Sequence, residues 1–276
     1  MSRLELKTPE QLRLMRRAGL VVAAAHKAMA AAVRPGVTTA DLDDIAREVL
    51  ARHGATSNFL HYSPGPGIPP YPAVVCTSVN EVIVHGIPSS QTIAAGDLVS
   101  LDFGAAVDGF HGDAAITVLA GPVAEPVAKL SAVTEEALWA GLSAVRLSGT
   151  VGDISHAIEQ SVRRAGRYGL VREFTGHGIG SAMHMAPDVP NFGRPRRGPK
   201  VVEGLCLAIE PMVTLGSRRA VTLDDDWTTV TADGSWAAHW EHTVTVTKNG
   251  LWILTAEDGG EAELNRRGLP FGPLAD

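Results

Sequence analysis

Leu12, Met15, Gly19, Val22, His26 and Met29 recur at intervals of three and four residues, the spacing of a helix that lays one stripe on a core. Thr8-Pro9-Glu10-Gln11 supplies a capping box with proline at the first helical position, and Arg34-Pro35-Gly36 ends the run, so the first helix is expected from about Pro9 to Val33. A second is expected from about Ala40 to His53, stopped by Gly54. The proline- and glycine-rich stretch Ser63 to Pro72 reads as a loop, and β-branched runs begin after it. The pattern then repeats, with helices predicted near Pro126 to Leu147 and Asp153 to Ala165, followed again by strands.

Two local matches sharpen that repetition. Gly96-Asp97-Leu98-Val99-Ser100-Leu101-Asp102 has the shape of Gly204-Leu205-Cys206-Leu207-Ala208-Ile209-Glu210: a glycine, an apolar run and a closing carboxylate. Asp113-Ala114-Ala115-Ile116-Thr117-Val118 resembles Glu241-His242-Thr243-Val244-Thr245-Val246, with the carboxylate leading. Short apolar runs do resemble each other by chance, but both matches keep their order and their acid. If the halves, about residues 1–120 and 121–255, pack about a pseudo-twofold axis, the equivalent carboxylates converge on that axis. Asp108-Gly109 is a two-residue hairpin signal between the first two acids. With that turn Val107 faces Phe110 and Gly104 faces Asp113, which sets Asp113 diagonal to Asp102 on one sheet face.

Composition narrows the class. A chain of 276 residues with 45% hydrophobic and 20% charged residues can bury a full core in one domain. The tail, residues 256–276, mixes Gly, Pro and charges and is expected to be a loosely ordered surface extension. A net charge of −6 argues against a nucleic-acid platform, and the basic run Arg194, Arg196, Arg197 and Lys200 lies among prolines and glycines, as a solvated loop does. The two cysteines, Cys76 and Cys206, stand far apart within apolar stretches, which fits buried thiols and a cytoplasmic setting. Arg16 and Arg17 before Ala18–Ala25 imitate a secretory signal, but the capping box and helical stripe favour a core helix, and His26 and Lys27 interrupt the run too early for a membrane span. A monomer needing no membrane or specific nucleic acid is expected.

The polar residues carry the chemistry. Asp102, Asp113, His177, Glu210 and Glu241 offer four carboxylates and one imidazole, a set that suits divalent cations. His177 lies in Gly176-His177-Gly178-Ile179-Gly180, whose glycines would let backbone approach an ion or substrate. His85 and His184 are also singled out, while His26, His53, His61, His111, His156, His239 and His242 are assigned structural roles. His26 is expected to be a satisfied core group, and His111 and His242 to face away from the neighbouring acids.

Together these blocks resemble the methionine aminopeptidases of the bacterial type I class from about Leu6 to Thr255. The resemblance is carried by Lys7-Thr8-Pro9-Glu10, Pro35-Gly36-Val37, Cys76-Thr77-Ser78-Val79-Asn80-Glu81, His85-Gly86-Ile87-Pro88, Gly109-Phe110-His111-Gly112-Asp113, Gly176 to Gly180, Ile209-Glu210-Pro211 and Glu241-His242-Thr243. It implies an α+β pita-bread fold, a pseudo-twofold curved antiparallel sheet backed by helices around a dinuclear centre. It also implies that Asp102 ligates one ion, that His177 and Glu210 ligate the other, and that Asp113 and Glu241 bridge them. The ions would be Co, Mn, Fe, Zn or Ni. Glu210 would help move the proton, His184 would stabilise the oxygen of the tetrahedral intermediate, and His85 would contact the scissile nitrogen. The substrates implied are N-termini of nascent polypeptides with a small second residue, with transient ribosome contact through the basic loop as a further expectation.

A methionine pocket of Tyr71, Cys76 and Trp227 also follows from the resemblance. Without it, these three would read as ordinary core. The chain departs from the family pattern at Ile68, where a tyrosine is common, and at Met183, where an aromatic usually precedes the second histidine. Met185-Ala186-Pro187 likewise replaces frequent acids. Two other readings compete: an Xaa-Pro aminopeptidase or dipeptidase of the same fold, and a non-catalytic pita-bread binding protein. The first would share all five ligands, and the second would be expected to have lost some of them.

Overall fold

In the computed structural model, which describes residues 4–274, helix α1 spans Pro9–Ala32 and helix α2 spans Thr39–His53. Thr8 Oγ1 accepts from the Gln11 backbone while the Gln11 side chain accepts from the Thr8 N–H, and Thr38 with Asp41 repeats the device on α2. Gly54, at φ 61°, supplies the left-handed residue that closes α2. Leu12, Met15, Val22 and Met29 are buried along the stripe of α1, each burial being worth about 1.5–3 kcal/mol. In the second half α3 spans Glu125–Ser143 and α4 spans Val151–Ala165. Helix α3 stops short of the expected Leu147. Its last turn tightens at Ala144, and Ser148, at φ 66°, turns the chain toward the Thr150–Asp153 box of α4.

The main strands are β1 (Cys76–Val79), β2 (Val82–Val84), β3 (Leu98–Val107), β4 (Phe110–Leu119), β5 (Gly176–Gly178), β6 (Met185–Val189), β7 (Cys206–Ile209), β8 (Glu241–Thr247) and β9 (Gly250–Ile253). All of these except β2, which pairs with a separate small sheet, join an antiparallel nine-stranded sheet whose central order is β3-β4-β8-β7-β5-β6. The acid-bearing strands are therefore arranged palindromically: the hairpin β3–β4 and the pair β8–β7 meet where Glu241 pairs with Ala115. Val99, Leu101 and Phe103 of β3 pack with α1 and α2, and Leu207, Ile209, Val244 and Val246 pack with α3 and α4. Alternation sends the other side chains, the acids among them, to the opposite face.

The tail is not loose. Residues 256–274 carry the short helix α5 (Glu261–Arg266), bury Leu264, and bridge β9 through Leu251 and Phe271. Arg267 pairs with Glu136 and lies over Trp139. A polar composition concealed this because the anchors are few: one leucine, one phenylalanine and one arginine. Residues 1–3 and 275–276 of the expected domain lie outside the described residues.

Helix α1 crosses the sheet so closely that a Cβ on Gly19 would lie 2.0 Å from the Leu254 carbonyl oxygen, which is backbone and cannot swing aside. Gly19→Val is expected to lower stability by about 1–3 kcal/mol. Leu20→Ala, at a side chain 40% exposed, should stay within about 0.5 kcal/mol of the parent. Thermal melts of the two variants check this, and equal melting temperatures would contradict the close approach.

Candidate metal centre

The β3–β4 hairpin has the register read from its turn. Val107 pairs with Phe110, Gly104 with Asp113, and Asp108 and Gly109 take φ 50° and 79°. Asp102 and Asp113 accordingly leave the same face as diagonal neighbours. Glu241 opens β8 and Glu210 follows the last residue of β7, so each strand pair presents its acid at the palindromic junction. His177 sits in β5. Its flanking glycines serve the sheet rather than a ligand: a Cβ on Gly176 would meet the Ala208 oxygen at 2.4 Å, and one on Gly178 the Ala186 oxygen at 2.2 Å.

These five side chains line one cavity. Ligand atoms of Asp113, His177 and Glu241 lie within 4.8 Å of one another. The His177 ring places Nδ1 3.0 Å from the Gly178 carbonyl, which fixes the proton there and leaves Nε2 facing Glu210 Oε1 at 3.6 Å with its lone pair free. Burial pushes the His177 pKa down to about 3, so the ring is neutral. Burial also raises Asp102 to about 7, and burial reinforced by neighbouring acids holds Asp113, Glu210 and Glu241 well above the usual carboxylate range. Asp102 Oδ1, Asp113 Oδ1 and Glu241 Oε1 are buried with no hydrogen-bond partner. Four acids desolvated together cannot all ionise without nearby positive charge. Unpartnered carboxylate oxygens beside a neutral imidazole fit divalent cations of the oxygen-preferring kind.

The rest of the cavity is aromatic and apolar. Tyr71, Cys76, Met183 and Trp227 line it, together with His85 and His184. Burial raises the Cys76 thiol well above its ordinary pKa, so it stays protonated. His85 adopts φ 60° and meets the rings of Phe174 and Trp227 edge-on. Burial lowers its pKa to about 4.

Several expectations need correction. Ile68 does not line the cavity: it is 37% exposed on the loop at residues 63–70, and Tyr62 and Phe59 take the aromatic positions instead. The Tyr71 N–H donates to the Tyr62 carbonyl and the His61 N–H to the Tyr71 carbonyl, each at 2.8 Å, so the proline-glycine run is looped out between two paired aromatics. Two tyrosines bracketing such a run were the available signal. His111 lies two residues before Asp113, and period-two alternation puts it on the same face, where its Nδ1 meets Asn58 Oδ1 at 2.8 Å. His242 does face away, meeting Thr255 Oγ1 at 2.9 Å and the Trp139 ring. His26 is buried as expected, but its Nε2 has no partner. His239, assigned a structural role, is buried with Nε2 3.9 Å from Glu210 Oε2. No periodicity signal marked it, since its strand is three residues long.

The comparisons agree with this geometry. Residues 13–248 match the profile of metallopeptidase family M24. The chain is 50% identical over 251 residues to methionine aminopeptidase 1 of Mycobacterium tuberculosis, covering 89% of this chain and 92% of that protein. It is 46% identical to the methionine aminopeptidase of Clostridium perfringens, covering 91% and 98%. The crystal structure of methionine aminopeptidase from Thermotoga maritima superposes with a TM-score of 0.88 at 38% identity, covering 92% of this chain and all of that one. The prolidase of Pyrococcus furiosus shares the fold, with a TM-score of 0.70 at 19% identity. With a pita-bread sheet, a buried acid cluster and half of the aligned residues shared with such a relative, this chain belongs to metallopeptidase family M24, in its methionine aminopeptidase branch, and is a metal-dependent aminopeptidase.

Proposed function

We propose that the chain removes the initiator methionine from nascent polypeptides whose second residue is small. The observation that carries this reading is the convergence of Asp102, Asp113, His177, Glu210 and Glu241 on a cavity walled by Tyr71, Cys76, Met183 and Trp227. Two divalent ions would be held there, one by Asp102, the other by His177 and Glu210, with Asp113 and Glu241 shared. Co, Mn, Fe, Zn and Ni all suit this donor set. When bound, the ions supply Lewis acidity and lower the pKa of water to near neutrality.

The chain's own groups perform the rest. The buried carboxylate cluster receives the free amine of the substrate, which confines cutting to chain ends. Glu210 takes the proton of the attacking water and returns it to the leaving amine, a task suited to a carboxyl whose pKa burial and neighbouring Asp102 hold well above its ordinary value. His184 donates to the carbonyl oxygen as it gains charge, and His85 contacts the scissile nitrogen. Water and one peptide bond become free methionine and a shortened chain. The unbranched thioether fits the narrow aromatic slot, where Met183 supplies a second polarizable sulfur. The surroundings proposed are cytoplasmic and the enzyme monomeric, and no helix among the described residues is long and apolar enough to cross a membrane.

With divalent ions added, Met-Ala-Ser is expected to release methionine and Ala-Pro-Ala to be left intact. Asp113→Ala should lower turnover by at least ~100-fold, beyond what loss of an orienting partner alone costs. Preference for the proline peptide would contradict the assignment, and absence of turnover with every ion would favour a binding protein.

The raised carboxyl values set a pH dependence. A carboxyl whose folded pKa is raised stabilises the metal-free fold at low pH, and that contribution is lost as pH rises through the folded value, about 7 for Asp102. Cation binding requires the same protons to leave, so affinity should increase with pH and protons should be released. The rise in melting temperature caused by added Mn²⁺ is expected to be larger at pH 8 than at pH 5.5. An equal or smaller rise at the higher pH would contradict the cluster as the binding site.

Transient ribosome contact is assigned to the exposed cations Arg194, Arg196, Arg197 and Lys200. Replacing all four with glutamate should abolish ribosome co-sedimentation at low salt, and unchanged co-sedimentation would remove the assignment.

A further inference from the structure

The loop at residues 63–70 contributes nothing to the cavity wall, yet it is tied down at both ends. Ser63 Oγ lies 3.0 Å from the Gly65 carbonyl and 2.9 Å from the Ile68 carbonyl, and Trp227 Nε1 donates to the Pro69 carbonyl at 2.9 Å. At its base the paired backbones of Tyr62 and Tyr71 hold the Tyr62 side chain over the cavity mouth. There the Tyr62 hydroxyl lies 2.7 Å from Nδ1 of His184, and the two rings meet edge-to-face at 5.3 Å. His184 in turn meets His177 edge-to-face, with ring centroids 4.4 Å apart.

We propose that Tyr62 is a positioning residue: its phenol donates to Nδ1 of His184 and so keeps that imidazole in the tautomer whose proton sits on Nε2, inside the cavity. The inference rests on the proposed role of His184 and deepens it. A neutral imidazole carries one proton shared between two tautomers, and only the one with hydrogen on the cavity-facing nitrogen can donate to a carbonyl oxygen. The Tyr62 hydroxyl is the partner the structure gives Nδ1, and an imidazole whose single proton sits on Nε2 can only accept at Nδ1, so the phenol is the donor there. His177 cannot supply that proton, since its own Nδ1 is committed to the Gly178 carbonyl. His111, the other nearby imidazole, has its Nδ1 against Asn58. An N–H aimed before the substrate arrives needs no reorganisation when charge develops on the oxygen. The looped-out segment then has a purpose at the site. It closes the hairpin that aims Tyr62, and through Pro69 it holds Trp227 as well.

The test combines spectroscopy and kinetics on Tyr62→Phe, which keeps the ring and removes only the hydroxyl. In the zinc-loaded parent protein with ¹⁵N-labelled histidine, His184 is expected to show a protonated Nε2 and an unprotonated Nδ1, and the variant should lose that bias. With Met-Ala-Ser, kcat should fall about ten- to hundredfold, as for loss of an orienting partner, while KM and bound metal stay near the parent's. Tyr62→Phe combined with His184→Ala should cost no more than His184→Ala alone, because the hydroxyl acts only through the ring. A proton on Nδ1 in the parent, an unchanged kcat in Tyr62→Phe, or losses that multiply in the double variant would each overturn the proposal. If the parent releases no methionine, the functional reading fails instead, and the ¹⁵N spectra still decide what Tyr62 does.

Discussion

Mutual repulsion among four buried carboxylates is the constraint around which the rest of this molecule is arranged. Asp102, Asp113, Glu210 and Glu241 are taken out of water on one sheet face, and three of them leave an oxygen without any hydrogen-bond partner. Such an arrangement opposes folding unless protons or cations neutralise it. Its persistence in a tightly packed sheet is the physical argument for a metal, and it stands apart from the family match. The neutral, pre-oriented imidazole of His177 completes the donor set without adding charge.

The fold delivers that cluster by symmetry rather than by local sequence. Each half contributes an antiparallel strand pair with one acid on each strand or directly after it, and the two pairs meet at β4 and β8. Helices cover the opposite face of each half, so period-two alternation has one outcome everywhere: apolar residues go toward the helices and acids away from them. Glycines at Gly19, Gly112, Gly176 and Gly178 let helix and strands approach to distances a Cβ would forbid, which holds together the sheet that carries the acids. The apolar slot is built separately, from side chains on the loop-rich rim beside the centre.

What could be read from the sequence follows from this division. Helix ends were legible because capping boxes and glycine stops are local, and the β3–β4 register was legible because Asp108-Gly109 admits essentially one turn. The convergence of the four acids was legible through duplication, which places equivalent acids at equivalent strand positions. The rim was not. The family resemblance places Ile68 in the pocket, at a position where a tyrosine is common, but looped-out residues carry no register, and the pairing of Tyr62 with Tyr71 that displaces Ile68 is a tertiary fact. His111 was misplaced by a slip in alternation that its two-residue separation from Asp113 already corrected. His239 was missed because its proximity to Glu210 arises from a three-stranded sheet of very short strands, which leave no pattern to find. The tail escaped because two or three anchors suffice to dock a polar segment.

The most direct test of the central claim is anomalous diffraction from crystals of the manganese-loaded protein, collected on both sides of the manganese absorption edge. The account predicts two peaks about 3.5–4 Å apart, with Asp113 and Glu241 between them. Density without anomalous signal among these acids, or manganese bound elsewhere while the cluster stays protonated, would contradict it.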